Sequence, residues 1–105
     1  MITVNLRYKG ADARAFAEEM TASGTVDLIR AEPGNLRYEY YQSLDDPETI
    51  LLIDSWKDQA AIDAHHASAV MATIAELREK YDHHMTVERF VSIEDNAGDE
   101  RFIRK

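Results

Sequence analysis

Hydrophobic and polar residues alternate along the first strand-length of the chain, with Ile2, Val4, Leu6 and Tyr8 facing one way and Thr3, Asn5 and Arg7 the other. A period of two predicts a strand with one buried face. Lys9 to Ala11 break the pattern, Asp12 is placed to cap a helix, and Ala13, Phe16, Ala17 and Met20 then recur at helical spacing. That helix pauses near Ser23 and Gly24. Val26, Leu28 and Ile29 predict a second short helical piece, closed by Glu32, Pro33 and Gly34.

Leu36 to Ser43 reads as an aromatic-rich strand, with Leu36, Tyr38 and Tyr40 on one face and Arg37, Glu39 and Tyr41 on the other. Ser43 to Glu48, containing Asp45, Asp46 and Pro47, is a solvated turn. Ile50 to Ile53 is apolar on both faces, as in a central strand, so the two strands form a hairpin. Lys57 to Gln59 leads into a helix whose stripe is Ile62, His66, Val70, Thr73 and Leu77, with Ser68 able to cap a fresh turn and bend it. Tyr81 to Met85 ends that helix, Thr86 to Ile93 is the last strand, and Glu94 to Glu100 is a charged stretch before Phe102 and Ile103.

The predicted order is β-α-β-β-α-β, an α+β arrangement of the ferredoxin-like kind with an antiparallel sheet. Crossovers of the same hand put both helical segments on one face and leave the other bare. The simplest cover for a bare, partly apolar face is the same face of a second copy, so a homodimer is expected. We divide the chain into a domain over residues 1–95 and a tail over 96–105 that packs on the dimer partner.

Composition narrows the functions. At 105 residues the chain is one domain with a modest core. A net charge of −8 would repel a phosphate backbone, so no nucleic acid is expected. The absence of cysteine removes disulfides, thiolate metal sites and thiol nucleophiles. The first residues form a strand rather than a targeting signal, and no apolar run spans a membrane, so a cytoplasmic protein is expected.

Candidate chemistry is concentrated in Ile50 to His66, ILLIDSWKDQAAIDAHH. Together with EPGNLRYEY at 32–40, DDPETILLIDSWKD at 45–58 and AIDAHHAS at 61–68, it resembles the antibiotic biosynthesis monooxygenase family, small dimeric α+β barrels that include quinol monooxygenases. The marks are an acidic-Pro-Gly turn, an acid two residues before a tryptophan, and a histidine nine residues after it. The resemblance implies fold and dimer more specifically than reaction. Members include cofactor-free oxygenases of phenols and quinols, haem-degrading enzymes, and an isomerase of a phosphorylated signalling sugar.

Trp56 is either a core aromatic or a platform that stacks a planar ligand and donates its N–H. The resemblance picks His65 by its spacing from the tryptophan, whereas helical periodicity puts His66 in the apolar stripe and His65 at its margin. Either imidazole, with an ordinary pKa of about 6.5, could take a phenolic proton. Asn5 is a candidate for holding a carbonyl or peroxide oxygen. Arg37, Tyr38, Met71 and Tyr81 are candidate substrate contacts, although Arg37 could instead pair with Glu39 or Asp54, and Met71 and Tyr81 would pack on the sheet. Asp54 is either a buried acid or one end of a surface ion pair.

Adjacent histidines do not form the i, i+4 pair of a metal helix, and no phosphate loop or nucleotide fingerprint is present. Haem-degrading relatives carry a ligating histidine near the position of Ala75. No metal and no cofactor are therefore expected. The resemblance implies cofactor-independent monooxygenation of a small aromatic phenol or quinol by O2, with His66 or His65 as base and Trp56 and Asn5 as holding groups. Two alternatives remain open: an isomerase or binding module for a small polar metabolite, and a non-catalytic regulatory dimer. A cavity of roughly 300 Å³ or more, apolar with a few convergent polar groups, would favour a substrate.

Overall fold

A computed structural model of the protein describes residues 1–93 and 97–105. Its elements are β1 (Ile2–Lys9), α1 (Ala13–Ala22), α2 (Thr25–Arg30), β2 (Asn35–Gln42), β3 (Thr49–Trp56), α3 (Gln59–His66), α4 (Val70–Lys80), β4 (His84–Val91) and a 3-10 turn over Ala97–Phe102. The strands form one antiparallel sheet in the order β2-β3-β1-β4. This is the ferredoxin-like α+β fold. The boundary expected at residue 95 lies outside the described residues.

Strand alternation decides which residues meet the helices. In β1 the even positions Leu6 and Tyr8 are buried; in β3 Ile50, Leu52, Asp54 and Trp56 point the same way. Phe16 and Met20 of α1, Val26 and Ile29 of α2, Ile62 of α3 and Ile74 and Leu77 of α4 close over them. Each large side chain removed from water in this way contributes about 1.5–3 kcal/mol. Among the described residues, no α-helix packs on the opposite face, with Thr3, Asn5, Arg7, Leu51, Ile53 and Ser55. At 46 × 35 × 22 Å the fold is thin, and its 15.2 Å radius of gyration exceeds the ~13 Å typical of a compact chain this long.

Several expectations change at element ends. Leu36 does not share the buried face of Tyr38: the β2–β3 register shifts between Asn35 and Arg37, and Leu36 is exposed. Asp12 precedes α1 without capping it; its Oδ2 instead accepts from the backbone N–H of Asp82, 3.0 Å away, and ties the end of α4 to the start of α1. Asp58 does cap α3, accepting from the Ala61 N–H at 2.9 Å. The helix after β3 is two pieces, with Ala67 to Ala69 between them.

That break overturns the histidine assignment made from periodicity. A stripe running Ile62, His66, Val70, Thr73 and Leu77 requires one continuous helix. On the separate α3 the inward face is Ala61, Ile62 and His65, and on α4 it is Ile74 and Leu77. His65 is 5% exposed, whereas His66 and Thr73 are exposed.

Candidate functional site

Between α3, α4 and the helix-facing side of the sheet lies a cavity of about 250 Å³, smaller than the roughly 300 Å³ expected of a substrate pocket. Val4, Leu6, Leu52, Ile62 and Ile74 give it apolar walls. Tyr38, Asp54, Trp56, His65 and Arg78 supply polar groups, and His66, Met71, Met85, Val87 and Arg89 complete its lining. Every residue of β4 is exposed, so its inward side chains line the cavity without sealing it. An open groove of about 430 Å³ between α1 and β2 is larger, but it contains neither imidazole nor indole.

Trp56 closes β3 and is fully buried, with its ring centroid 4.7 Å from that of His65 and the planes at 30°. His65 Nδ1 sits 2.6 Å from Glu32 Oε2. A carboxylate only accepts, so Nδ1 carries the proton and Nε2 keeps its lone pair. Burial lowers the His65 pKa, against the opposing pull of Glu32. The side chain is therefore a neutral base at neutral pH. Ser68, in the turn after α3, places its hydroxyl 3.2 Å from the other Glu32 oxygen and 2.6 Å from the His65 carbonyl.

Local sequence explains how Glu32 arrives there. It follows α2 in the Glu-Pro-Gly turn, where Gly34 adopts φ +85°. A Cβ on Gly34 would lie 2.6 Å from that of Ala61, so only glycine lets this turn press against α3. The Gly34 carbonyl also accepts from the Lys57 N–H at 2.9 Å, fastening the turn to the end of β3.

Asp54 is 8% exposed, and burial raises its carboxyl pKa to about 7, the Trp56 indole N–H opposing and the Glu32 charge adding to the rise. Its Oδ1 is buried without a hydrogen-bond partner among the described residues. Arg78 Nε is likewise buried and unpartnered, while its Nη2 donates to the Tyr8 hydroxyl at 3.2 Å. Burial also raises the pKa of Tyr8, Tyr38 and Tyr40, keeping these phenols neutral.

Of the residues singled out in the sequence, the structure brings Trp56, His65, His66, Tyr38 and Met71 to this cavity. It does not bring Asn5, Arg37 or Tyr81. Asn5 pairs with Ile53 and Glu88 on the uncovered face of the sheet, where strand alternation turns it away from the cavity. Arg37 lies on that same face, donating to the Tyr41 hydroxyl at 2.8 Å and 3.7 Å from Glu39. Tyr81 packs against Phe16, and its hydroxyl donates to Glu19. Glu32 and Arg78 are site residues the sequence did not announce. Arg78 had a readable signal, four residues after Ile74 on the inward side of α4; Glu32 had none, being 33 positions from its partner.

Residues 1–77 match the sequence profile of the antibiotic biosynthesis monooxygenase family. The chain belongs to that family. A protein of Bacillus subtilis (strain 168) named "Putative monooxygenase YcnE" is 33% identical over 48 residues. That match takes in 46% of this chain and half the length of the relative. SnoaB, a cofactor-independent oxygenase from Streptomyces nogalater, superposes with a TM-score of 0.74 at 18% identity, over 90% of this chain and 95% of its own. Rv0793 from Mycobacterium tuberculosis gives 0.71 at 23% identity, over 90% and 97%. At these identities the two structures establish the fold. No group of three or more metal-ligating side chains occurs among the described residues, and no helix there is long and apolar enough to cross a membrane.

Proposed function

We propose that the protein is a monooxygenase that oxidises a small aromatic phenol or quinol with O2 and no cofactor, the substrate entering the cavity beside Trp56 and His65. Membership of the family supports a monooxygenase-type function. The observation that carries the finer reading is the Glu32–His65–Trp56 arrangement: a neutral imidazole, fixed through Nδ1, packed at a tilt against an indole at the wall of an apolar cavity.

In this reading His65 Nε2 takes the phenolic proton, and Glu32 stabilises the imidazolium that results. The phenolate passes an electron to O2, and the two radicals combine at a ring carbon to give a hydroperoxide. Breaking its O–O bond leaves one oxygen on the ring and releases the other as water. A naphthol plus O2 becomes a naphthoquinone plus water, so the substrate supplies every electron. The protein contributes deprotonation, orientation and a water-poor site. Asn5, on the other side of the sheet, has no part in this scheme.

The uncovered face also fits a second copy of the chain. Leu51 and Ile53 are half-buried at its centre, and the Arg7–Glu88 and Arg37–Glu39 pairs lie around them, an apolar patch with a polar rim. A homodimer joined there keeps both cavities on the outer, helical sides.

Oxygen uptake by purified protein with hydroquinones and naphthols, no cofactor added, tests the reading. Uptake above autoxidation that falls at least tenfold in His65→Ala but not in His66→Ala supports it. A folded protein with no uptake on any member of the panel refutes it.

A further inference from the structure

Two of the chain's four methionines, Met71 and Met85, line the cavity that holds His65 and Trp56. A thioether is apolar and flexible, and it takes up an oxygen atom from peroxide to become a polar sulfoxide. The four differ in how far an oxidant can reach them. Met20 is fully buried in the core, Met71 is half-buried, Met85 is 40% exposed and Met1 52%. Met1 stands outside the cavity lining, just before β1, its carbonyl accepting from the Ser92 N–H. Met85 is thus the methionine that is both accessible and part of the wall.

Its position makes a modification consequential. Met85 pairs with Tyr8 and Val87 with Leu6, so strand alternation puts Met85, Val87 and Arg89 together on the helix-facing side of β4, where the cavity is not sealed. Arg89 reaches from there to α3 and donates to the Gln59 side-chain oxygen, and Met85 stands four residues along the same face. The face proposed for the homodimer is on the other side of the sheet, so pairing there leaves Met85 open to solvent.

We propose that Met85 is an oxidation site and that its sulfoxide closes the cavity to apolar ligands. A sulfur lone pair attacks hydrogen peroxide: an S–O bond forms as the O–O bond breaks, sulfur loses two electrons, and the second oxygen leaves as water. A local source of peroxide rests on the oxygenase reading above. Two superoxide ions that escape before combining with the ring take up two protons and give hydrogen peroxide and O2. The sulfoxide sets an acceptor beside Val4, Leu6 and Val87, where an apolar ring would bury it unpaired, and Arg78 and Arg89 in the same lining supply donors that favour it. Turnover that leaks oxidant thereby restrains itself.

Graded hydrogen peroxide on the intact protein, followed by peptide mass spectrometry, reads the modification; calorimetric titration with naphthol under argon, before and after treatment, reads the cavity. Met85 and Met1 are expected to gain oxygen first, Met71 later and Met20 last. The naphthol dissociation constant should rise about tenfold or more as Met85 converts, and methionine sulfoxide reductases should restore it. In Met85→Leu the constant after treatment should equal that before it. Where melting curves show that this variant has not folded, the wild-type course alone decides. Met85 unmodified when Met1 is fully converted, no naphthol binding before treatment, an affinity unchanged by the Met85 sulfoxide, or an equal loss in folded Met85→Leu would overturn the inference. Loss of naphthol binding on modification, in a protein that takes up no oxygen, would uphold it while refuting the oxygenase reading. Oxygen uptake undiminished by the Met85 sulfoxide would do the reverse.

Discussion

His65 Nδ1 and Glu32 Oε2 lie 2.6 Å apart, although 33 positions of chain and two strands separate them. The contact joins the turn before β2 to the helix after β3, so it fixes the imidazole and also closes the end of the fold where the cavity lies. Glu32→Gln keeps the shape but removes the charge from a hydrogen bond worth about 1.5–3 kcal/mol. The urea midpoint should fall accordingly. The His65 pKa should fall further below its ordinary value, because Glu32 is the group that raises it.

That pKa has a consequence for stability. His65 binds a proton less readily when folded than when unfolded, so its contribution is fully present above pH ~6.5 and is lost as pH falls through its folded value. NMR titration should find the His65 resonance moving below the ordinary histidine pKa of about 6.5. As the chain has one tryptophan, packed against this imidazole, its fluorescence should change with the same midpoint, and His65→Ala should abolish the change.

Asp54 acts in the opposite sense. Its folded pKa of about 7 stands above the unfolded ~3.9, so the folded state holds the extra proton and stability falls as pH rises from about 4 to 7. Asp54→Asn should be more stable than wild type at neutral pH, by up to a few kcal/mol, and equal to it near pH 4. Denaturant curves at both pH values measure the difference. An equal gain at both would mean that burial does not raise this carboxyl.

Gly34 couples backbone geometry to the site. Gly34→Ala places a side chain at φ +85° and drives its Cβ into Ala61, for an expected loss of about 2 kcal/mol or more. Adding Ala61→Gly should recover the steric part and leave the backbone part, less about 1 kcal/mol for glycine in a helix. Thermal unfolding of the two single variants and the double variant separates these contributions.

The homodimer is tested on the uncovered face. Ile53→Lys puts a charge at the centre of the apolar patch without touching the helix-facing core. Light scattering should show a dimer for the native chain and a monomer for this variant; a dimer in both would place the interface elsewhere.

Much of this was readable in the residues. Period-two alternation in β1 and β3, the Gly24 and Glu-Pro-Gly breaks and the aromatic β2 sufficed for element order and topology, and the spacing of Trp56 to His65 singled out two side chains that meet in the fold. Three things escaped for definite reasons. Periodicity misplaced His66 because it ran through a break at Ala67 to Ala69 that no glycine or proline announces. Asn5 was read as a site residue because a strand position declares its face only once the register of its neighbours is known. The Glu32 contact is tertiary, and nothing within one turn of either partner encodes it.

The most direct test of the central claim is mass spectrometry of the product formed under oxygen-18 gas from a dihydroxynaphthalene, with no metal, flavin or nicotinamide added. The account predicts one labelled atom in the quinone product, the other in water, and formation that depends on His65. An unlabelled product, or labelling that persists at the wild-type rate in folded His65→Ala, would contradict it.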